Sequence, residues 1–206
     1  MKLRCLMMPK NSVEVPIVDT DMWVYLILSG YDKRILEYYG SIQFSDVVEK
    51  EIMHWMNNEG EYKRIATQFV ILKNSKKLKI LSINDFEKVE QYSINHQLNE
   101  YGLQETHISE KNKGEFTSLL YALHKGIKRF KTNDRKFASE LDDQIQQEIT
   151  IVNWDDILEN YSKSLKEKSE IQKIVTNKQI KMKKQKEDYQ KQNYDVRWEK
   201  LKSLVG

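Results

Sequence analysis

Short, strand-like apolar runs alternate with helical patterns along most of the chain, and this alternation constrains the fold more than any other feature. The runs are VPIV before Asp19, SIQF after Gly40, IKRFKT after Gly126 and ITIV before Trp154. Between them lie segments in which apolar residues recur every three or four positions, as in an amphipathic helix. Alternating strands and helices indicate a parallel sheet with right-handed crossovers. We therefore predict an α/β protein with three α/β/α layers around a central, mostly parallel sheet.

The chain is long enough for one domain of ordinary size and an appendage. It has 206 residues, of which 39% are hydrophobic, and this proportion can supply one real core. Beyond Asp155 there is no proline, and the first glycine is Gly206. This composition predicts one long helix, or two helices end to end. We therefore predict a domain over residues 1–154 and a helical, lysine-rich C-terminal extension over residues 155–206.

The extension changes character along its length. Between residues 176 and 193 lysines are frequent and apolar residues are too few to bury a helix on the domain, so we expect a basic arm that projects or folds back. Tyr194, Trp198, Leu201 and Val205 then form an apolar stripe that should be covered. We expect residues 194–206 to dock on a partner protein such as an antitoxin, on a second copy of the chain or on the domain itself. A solvated helix is the competing interpretation.

Four acidic residues occupy the junctions between the strand-like runs and the helices. Asp19 follows VPIV, Glu51 lies in the helix after SIQF, Glu115 opens a helix in the middle of the chain, and Asp134 follows IKRFKT. Side chains at the carboxyl ends of parallel strands can converge on one crevice in an open α/β sheet. Converging carboxylates provide the oxygen ligands that Mg²⁺ prefers, and Mn²⁺ accepts the same set. Taken singly, each acid is explained as well by helix capping or by solvent exposure.

In their order and context, these four acidic segments resemble those of the PIN-domain nucleases, many of which are the ribonuclease toxins of bacterial toxin–antitoxin pairs. The resemblance covers residues 13–154. It implies a Mg²⁺- or Mn²⁺-dependent endoribonuclease of toxin or phage-defence type. Asp19 and Asp134 would be the principal metal ligands, and Glu115 would bind directly or through water. Glu51 would be a ligand or would orient the attacking water.

Three positions depart from the family's pattern. Asp21 stands where the family more often has Asn or Ser, and it would be an additional outer ligand or a helix cap. Asn133 replaces an acid that some members carry, which leaves one carboxylate fewer for a second metal ion. Glu49 competes with Glu51 as the second acid, and we favour Glu51 because it precedes the apolar Ile52.

Basic residues near the acids and in the extension are candidates for phosphate contacts. They are Lys128, Arg129, Lys131, Arg135, Lys136, Lys181, Lys183 and Lys184. The resemblance implies RNA in preference to DNA as the substrate. Two other functions compete with this interpretation: a structure-specific DNA nuclease on the same core, and a binding or scaffold protein that acts through its helical arm.

The chain shows no feature of a secreted or membrane protein. Cys5 is the only cysteine, which excludes an intramolecular disulfide and a zinc site built from cysteines. The apolar stretch at the N-terminus is stopped by Pro9 and Lys10, unlike a secretory signal. The longest apolar run, residues 22–28, is too short to span a bilayer. We therefore expect a cytoplasmic protein that does not bind membranes.

Overall fold

The computed structural model describes residues 14–100, 102–103, 112–134, 139, 141 and 143–192. The strands are β1 (Ile17–Val18), β2 (Ile42–Ser45), β3 (Leu78–Leu81), β4 (Arg129–Lys131) and β5 (Thr150–Val152). The α-helices are α1 (Thr20–Ser29), α2 (Asp32–Tyr39), α3 (Asp46–His54), α4 (Gly60–Asn74), α5 (Lys88–Glu100), α6 (Lys113–Lys125), α7 (Asp143–Glu148), α8 (Trp154–Tyr161) and α9 (Leu165–Gln192). Short 3₁₀ turns lie at Trp55–Asn57 and Ile83–Asp85.

The five strands form one sheet in the order β3-β2-β1-β4-β5, and every pairing is parallel. The chain builds outwards from β1 to β3 on one side and then returns to add β4 and β5 on the other. The strand order therefore reverses between β1 and β4. Parallel α/β sheets bind ligands at such a reversal, outside the carboxyl ends of the strands.

Helices cover both faces of the sheet, and the predicted three-layer α/β/α fold is confirmed. Successive residues of a strand face opposite sides, so that Val18 packs into one core cluster and Ile17 into the other. The first cluster lies beneath α1–α4, α8 and α9, and the second beneath α5–α7. Trp23 of α1 is fully buried in the first cluster, where its ring makes edge contacts with Phe44 and Phe69. Such aromatic pairs stabilise a core beyond the area they bury.

Local sequence signals set the ends of the helices that surround the carboxyl edge. Ser45 begins α3 as its N-cap, and its hydroxyl accepts a hydrogen bond from the Val48 amide at 3.3 Å, as the sequence predicted. Gly30 ends α1 in the left-handed conformation with φ of +77°. Glycine adopts this conformation without the steric cost that a side chain would add, which explains the helix stop.

The extension forms two helices, α8 and α9, and α9 folds back onto the domain. Val175 and Met182, seven residues apart and so on the same face of α9, are both buried in the first core cluster. The Lys178 ammonium donates to the Leu28 carbonyl at 2.9 Å. These contacts seat α9 on the domain, with Ile171 packed against the same cluster, although lysines dominate the second half of the helix. The boundary between residues 154 and 155 stays a prediction, and residues 194–206 lie outside the described residues.

Replacing Met182 with alanine tests whether α9 is part of the folded core. We expect Met182→Ala to lower the free energy of unfolding by about 2–3 kcal/mol, because the side chain is only 5% exposed and its removal leaves a cavity. Chemical denaturation of the full chain measures the change. Lys183→Ala is the matched control. Lys183 is the exposed neighbour of Met182, and its replacement should lower the free energy of unfolding by less than about 0.5 kcal/mol. Equal stability of the two variants would show that α9 is a solvated arm.

Within the described part of the chain, no helix combines the length and the apolar character needed to cross a membrane.

Candidate metal-binding site at the carboxyl edge of the sheet

Asp19 lies at the end of the central strand β1 and begins α1. Its backbone amide donates to the Lys131 carbonyl on β4 at 3.1 Å, and its Oδ1 accepts from the Met22 amide at 2.7 Å. The residue is 0% exposed, and its Oδ2 makes no hydrogen bond to any residue that the structure describes. Burial raises the pKa of Asp19 well above its usual value, and the charges of Asp21 and Glu115 raise it further. The nearby Thr132 hydroxyl and the hydrogen bond from the Met22 amide oppose this rise.

Glu51, on α3, turns towards the start of α1. The Thr20 hydroxyl donates to Glu51 Oε2 and thereby joins the two helices. Burial raises the pKa of Glu51, as does the charge of Asp21, while the bond from Thr20 lowers it. Glu49, the competing second acid, is instead paired with the Lys73 ammonium on α4. The structure thus brings Glu51, and not Glu49, to the edge where Asp19 lies.

Glu115 lies in the first turn of α6, which packs against α3. Burial is the main cause that raises its pKa to about 7, with contributions from the charges of Asp21, Glu51 and Asp134. The preceding residue, Gly114, allows the close approach of the two helices. A Cβ atom at this position would lie 3.1 Å from Glu51 Oε1 and 3.2 Å from Val48 Cγ2. Glycine therefore provides the room in which the Glu51 carboxylate lies beside Glu115.

Asp134 follows β4, the neighbour of β1 across the reversal in strand order. Its backbone amide donates to the Thr132 hydroxyl at 3.0 Å, and the same hydroxyl lies close enough to Asp19 to lower the pKa of that carboxyl group. Thr132 therefore links the acids at the ends of the two central strands. Asp21, in the first turn of α1, is an exposed residue. Loss of water around its carboxyl group and the charge of Asp134 nevertheless raise its pKa.

These contacts define a carboxylate cluster at one edge of the sheet. Its members are Asp19, Asp21, Glu51, Glu115 and Asp134. Like charges close together repel each other, so the cluster favours protons or cations. Among the described residues, no three His, Cys, Asp or Glu side chains are close enough to form a ready-made metal site. The cluster is thus an open, cation-attracting surface with an unpaired buried oxygen at its base.

The basic residues predicted to contact nucleic acid are placed in different ways. Lys128 is exposed, as are Lys181, Lys183 and Lys184 along α9. Arg129 donates to the Tyr39 hydroxyl at 3.1 Å. Lys131 is 1% exposed, with its ammonium over the Tyr39 ring, and burial lowers its pKa. Arg135 and Lys136 lie outside the described residues.

Sequence reasoning gave less weight to three residues that organise the cluster. The positions of Thr20 and Thr132 in the sequence favour helix capping, but the Thr20 hydroxyl donates to Glu51 and the Thr132 hydroxyl accepts from the Asp134 amide. Asp21 is not the cap of α1, because Asp19 has that role. The charge of Asp21 instead raises the pKa of three other acids in the cluster. The available signal was the repeated pattern of a threonine near each acid, in DTD and TND.

Comparison with known proteins leaves the family open. The sequence matches no family profile, and no curated protein matches it. Among solved structures, the chain is similar to a chain in the crystal structure of VapBC2 from Rickettsia felis bound to a DNA fragment from their promoter. The identity is 18%, the match covers 68% of this chain and 98% of that chain, and the TM-score is 0.43. This similarity is too low to assign the chain to a family.

Proposed function

We propose that the chain is a Mg²⁺- or Mn²⁺-dependent endoribonuclease that cleaves single-stranded RNA, of toxin or phage-defence type. The observation that carries the proposal is the carboxylate cluster at the point where the strand order reverses. Five acids drawn from α1, α3, α6 and the ends of β1 and β4 influence one another there. A purely structural role would not require so many carboxylates in one place.

The donor set of the cluster suits a hard divalent cation. Every candidate ligand is a carboxylate oxygen, and Asp19 Oδ2 is buried without a hydrogen-bond partner among the described residues. Buried polar atoms without a partner are rare and call for an explanation such as a bound ion. Asp19 and Asp134 would hold the metal, and Glu115 would bind directly or through water. The metal, when bound, would neutralise the phosphate and promote ionisation of water.

The remaining residues would prepare the site for this chemistry. The Thr20 hydroxyl would hold the Glu51 carboxylate in place, from where Glu51 would bind the metal or orient the attacking water. Glu115, whose pKa is raised to about 7 by burial and by neighbouring carboxylates in the metal-free protein, would release its proton when the metal binds. Thr132 would keep Asp19 and the chain at Asp134 in register across the two central strands.

The exposed lysines of α9 would attract the RNA backbone by releasing counterions. Lys181, Lys183 and Lys184 supply this charge in the extension, and Lys128 supplies it next to β4. Residues 194–206 would bind an antitoxin, another protein or a second copy of the chain in the cytoplasm. These partners belong to the proposal and rest on the sequence pattern of residues 194–206 alone.

Incubation of the purified chain with end-labelled single-stranded RNA and DNA tests the proposal. We expect internal cleavage of the RNA with Mg²⁺ or Mn²⁺, no cleavage with chelator, and slower cleavage of DNA. RNA binding without cleavage under all these conditions would overturn the proposal in favour of a binding or scaffold protein. Preferential cleavage of branched or flapped DNA would favour the structure-specific DNA nuclease.

Gly114→Ala tests whether the position of Glu51 matters for cleavage. The added methyl group would crowd the Glu51 carboxylate at about 3.1 Å, so the side chain must shift. We expect RNA cleavage to fall about tenfold, because small displacements of positioned groups are costly. Stability should change by less than about 1 kcal/mol, since alanine favours the helix while the contact opposes it.

Glu51→Gln provides the control for Gly114→Ala. If the glycine acts through Glu51, the double variant should be no slower than Glu51→Gln alone. Additive losses of activity in the double variant would show that Gly114 has a separate role.

A further inference from the structure

A cavity of about 500 Å³ opens beside the carboxylate cluster, and Gln172 of α9 forms part of its wall. Asp21 and Asp134 form its near wall, and Tyr25, Trp154 and Gln172 line the part towards α9. Its volume falls in the range of roughly 300–1,000 Å³ that is usual for small-ligand sites. The cavity therefore has room for a chemical group that continues from a phosphate held at the cluster.

The walls combine aromatic and amide side chains. The rings of Tyr25 and Trp154 are 5.2 Å apart at an angle of 53°. Trp154 Nε1 donates to Gln172 Oε1 at 2.9 Å, which fixes the orientation of the Gln172 amide. The bond uses the oxygen of the amide, so that the Nε2 amino group is the end that can donate to a ligand. Asn133 adds a second amide to the lining.

Charge decides which kind of group this cavity accepts. Asp155 lines it together with Asp21 and Asp134, so the walls repel a phosphate that has no cation with it. A flat, uncharged group with N–H donors would instead be attracted by the carboxylates and would contact the half-buried Tyr25 ring, which the buried Trp154 supports from behind. Unpaired nucleobases have this character, and proteins recognise them by aromatic contact and by hydrogen bonds to the Watson–Crick edge.

We propose that this cavity is a subsite for one unpaired nucleobase, with guanine preferred, and that α9 contributes Gln172 to its selection. Guanine presents two adjacent N–H donors, which match a carboxylate of the cavity wall, beside a carbonyl that accepts from an amide. This inference rests on the proposed RNA cleavage and specifies which base lies next to the cleaved bond. The C-terminal extension then determines selectivity as well as affinity.

Binding of free nucleosides to the full chain tests the subsite without phosphate or metal. Ligand-observed NMR titrations would compare guanosine, adenosine, cytidine and uridine. We expect guanosine to bind at least about tenfold more tightly than uridine. Uridine would leave polar groups of the site without hydrogen-bond partners, and unpaired polar groups lower affinity. Gln172→Leu should reduce guanosine affinity about tenfold, while Gln179→Leu, on the same helix but outside the cavity wall, should not change it.

Sequencing of RNA fragments provides the second readout. Wild-type cleavage should occur next to guanine, and Gln172→Leu should lose this preference while retaining cleavage. Equal affinity for all four nucleosides, or an unchanged preference in Gln172→Leu, would overturn the subsite. Selective guanosine binding in a protein that cleaves no RNA would support the subsite while the proposed nuclease function fails, so the two failures are distinguishable.

Discussion

Asp19→Asn should lower metal-dependent RNA cleavage by about 10²–10³-fold or more. The variant removes a negative charge from the carboxylate with the unpaired buried oxygen, where the metal would be held. Electrostatic stabilisation by a bound metal is worth several kcal/mol in such reactions, and each 1.36 kcal/mol is a factor of ten in rate. Cleavage rates of end-labelled RNA at saturating Mg²⁺ measure the effect.

The same variant should keep or increase the stability of the metal-free protein. Burial and neighbouring charges disfavour the ionised form of Asp19, and asparagine carries no charge. Asparagine also caps helices as well as aspartate does, so the bond from the Met22 amide can persist. Asp32→Asn is the matched control, a buried aspartate on α2 outside the cluster, and it should leave cleavage unchanged. Full activity in Asp19→Asn would show that this acid is not a ligand.

The metal-free protein should be more stable at pH 5 than at pH 8. The pKa of Glu115 rises from 4.5 in the unfolded chain to about 7 in the folded one, so between these values the folded state holds more protons. Stability contributed by this group is therefore complete below pH 4.5 and is lost as the pH rises through 7. A fully buried carboxyl with this shift would lose roughly 3 kcal/mol, and we expect about 2 kcal/mol because Glu115 is partly exposed. Asp19, Asp21 and Glu51 act in the same direction.

Urea denaturation across this pH range, with and without Mg²⁺, measures the effect. Glu115→Gln should flatten the pH dependence of the unfolding free energy, whereas Glu49→Gln, whose carboxylate pairs with Lys73, should not. Mg²⁺ should stabilise the protein at pH 8 and have little effect at pH 5, where protons already neutralise the cluster. A stability that rises from pH 5 to pH 8 without metal would contradict the assigned repulsion.

Much of the fold followed from the sequence because its local signals agree with its long-range packing. The apolar run ending at Val18 forms the central strand, and Ser45 and Gly30 mark helix ends where they were expected. Asp19 and Asp134 each follow a strand of the parallel sheet, so the sequence placed both at its carboxyl edge. These features depend on short stretches of sequence and on one topological rule.

Other features depended on contacts between distant segments, which a single sequence does not display. The ion pair of Glu49 with Lys73 on another helix, which favours Glu51 as the second acid of the cluster, is one such contact. The seating of α9 depends on Val175 and on Met182, an apolar residue in a stretch rich in lysine. The cavity wall at Gln172 exists only because α9 returns to the domain, so no local pattern pointed to it.

The hydrogen bonding of Asp19 has a consequence for how the chain can move. Its amide is tied to β4, its carbonyl accepts from the Trp23 amide at 3.1 Å, and its carboxylate caps α1. Asp19 therefore cannot move away from the neighbouring carboxylates through the fraying of a loop or a helix end. Amide hydrogen exchange at Asp19 and Trp23 should therefore require global unfolding, with the slowest rates in the molecule. The folded core thus keeps the carboxylates close together until the whole protein unfolds.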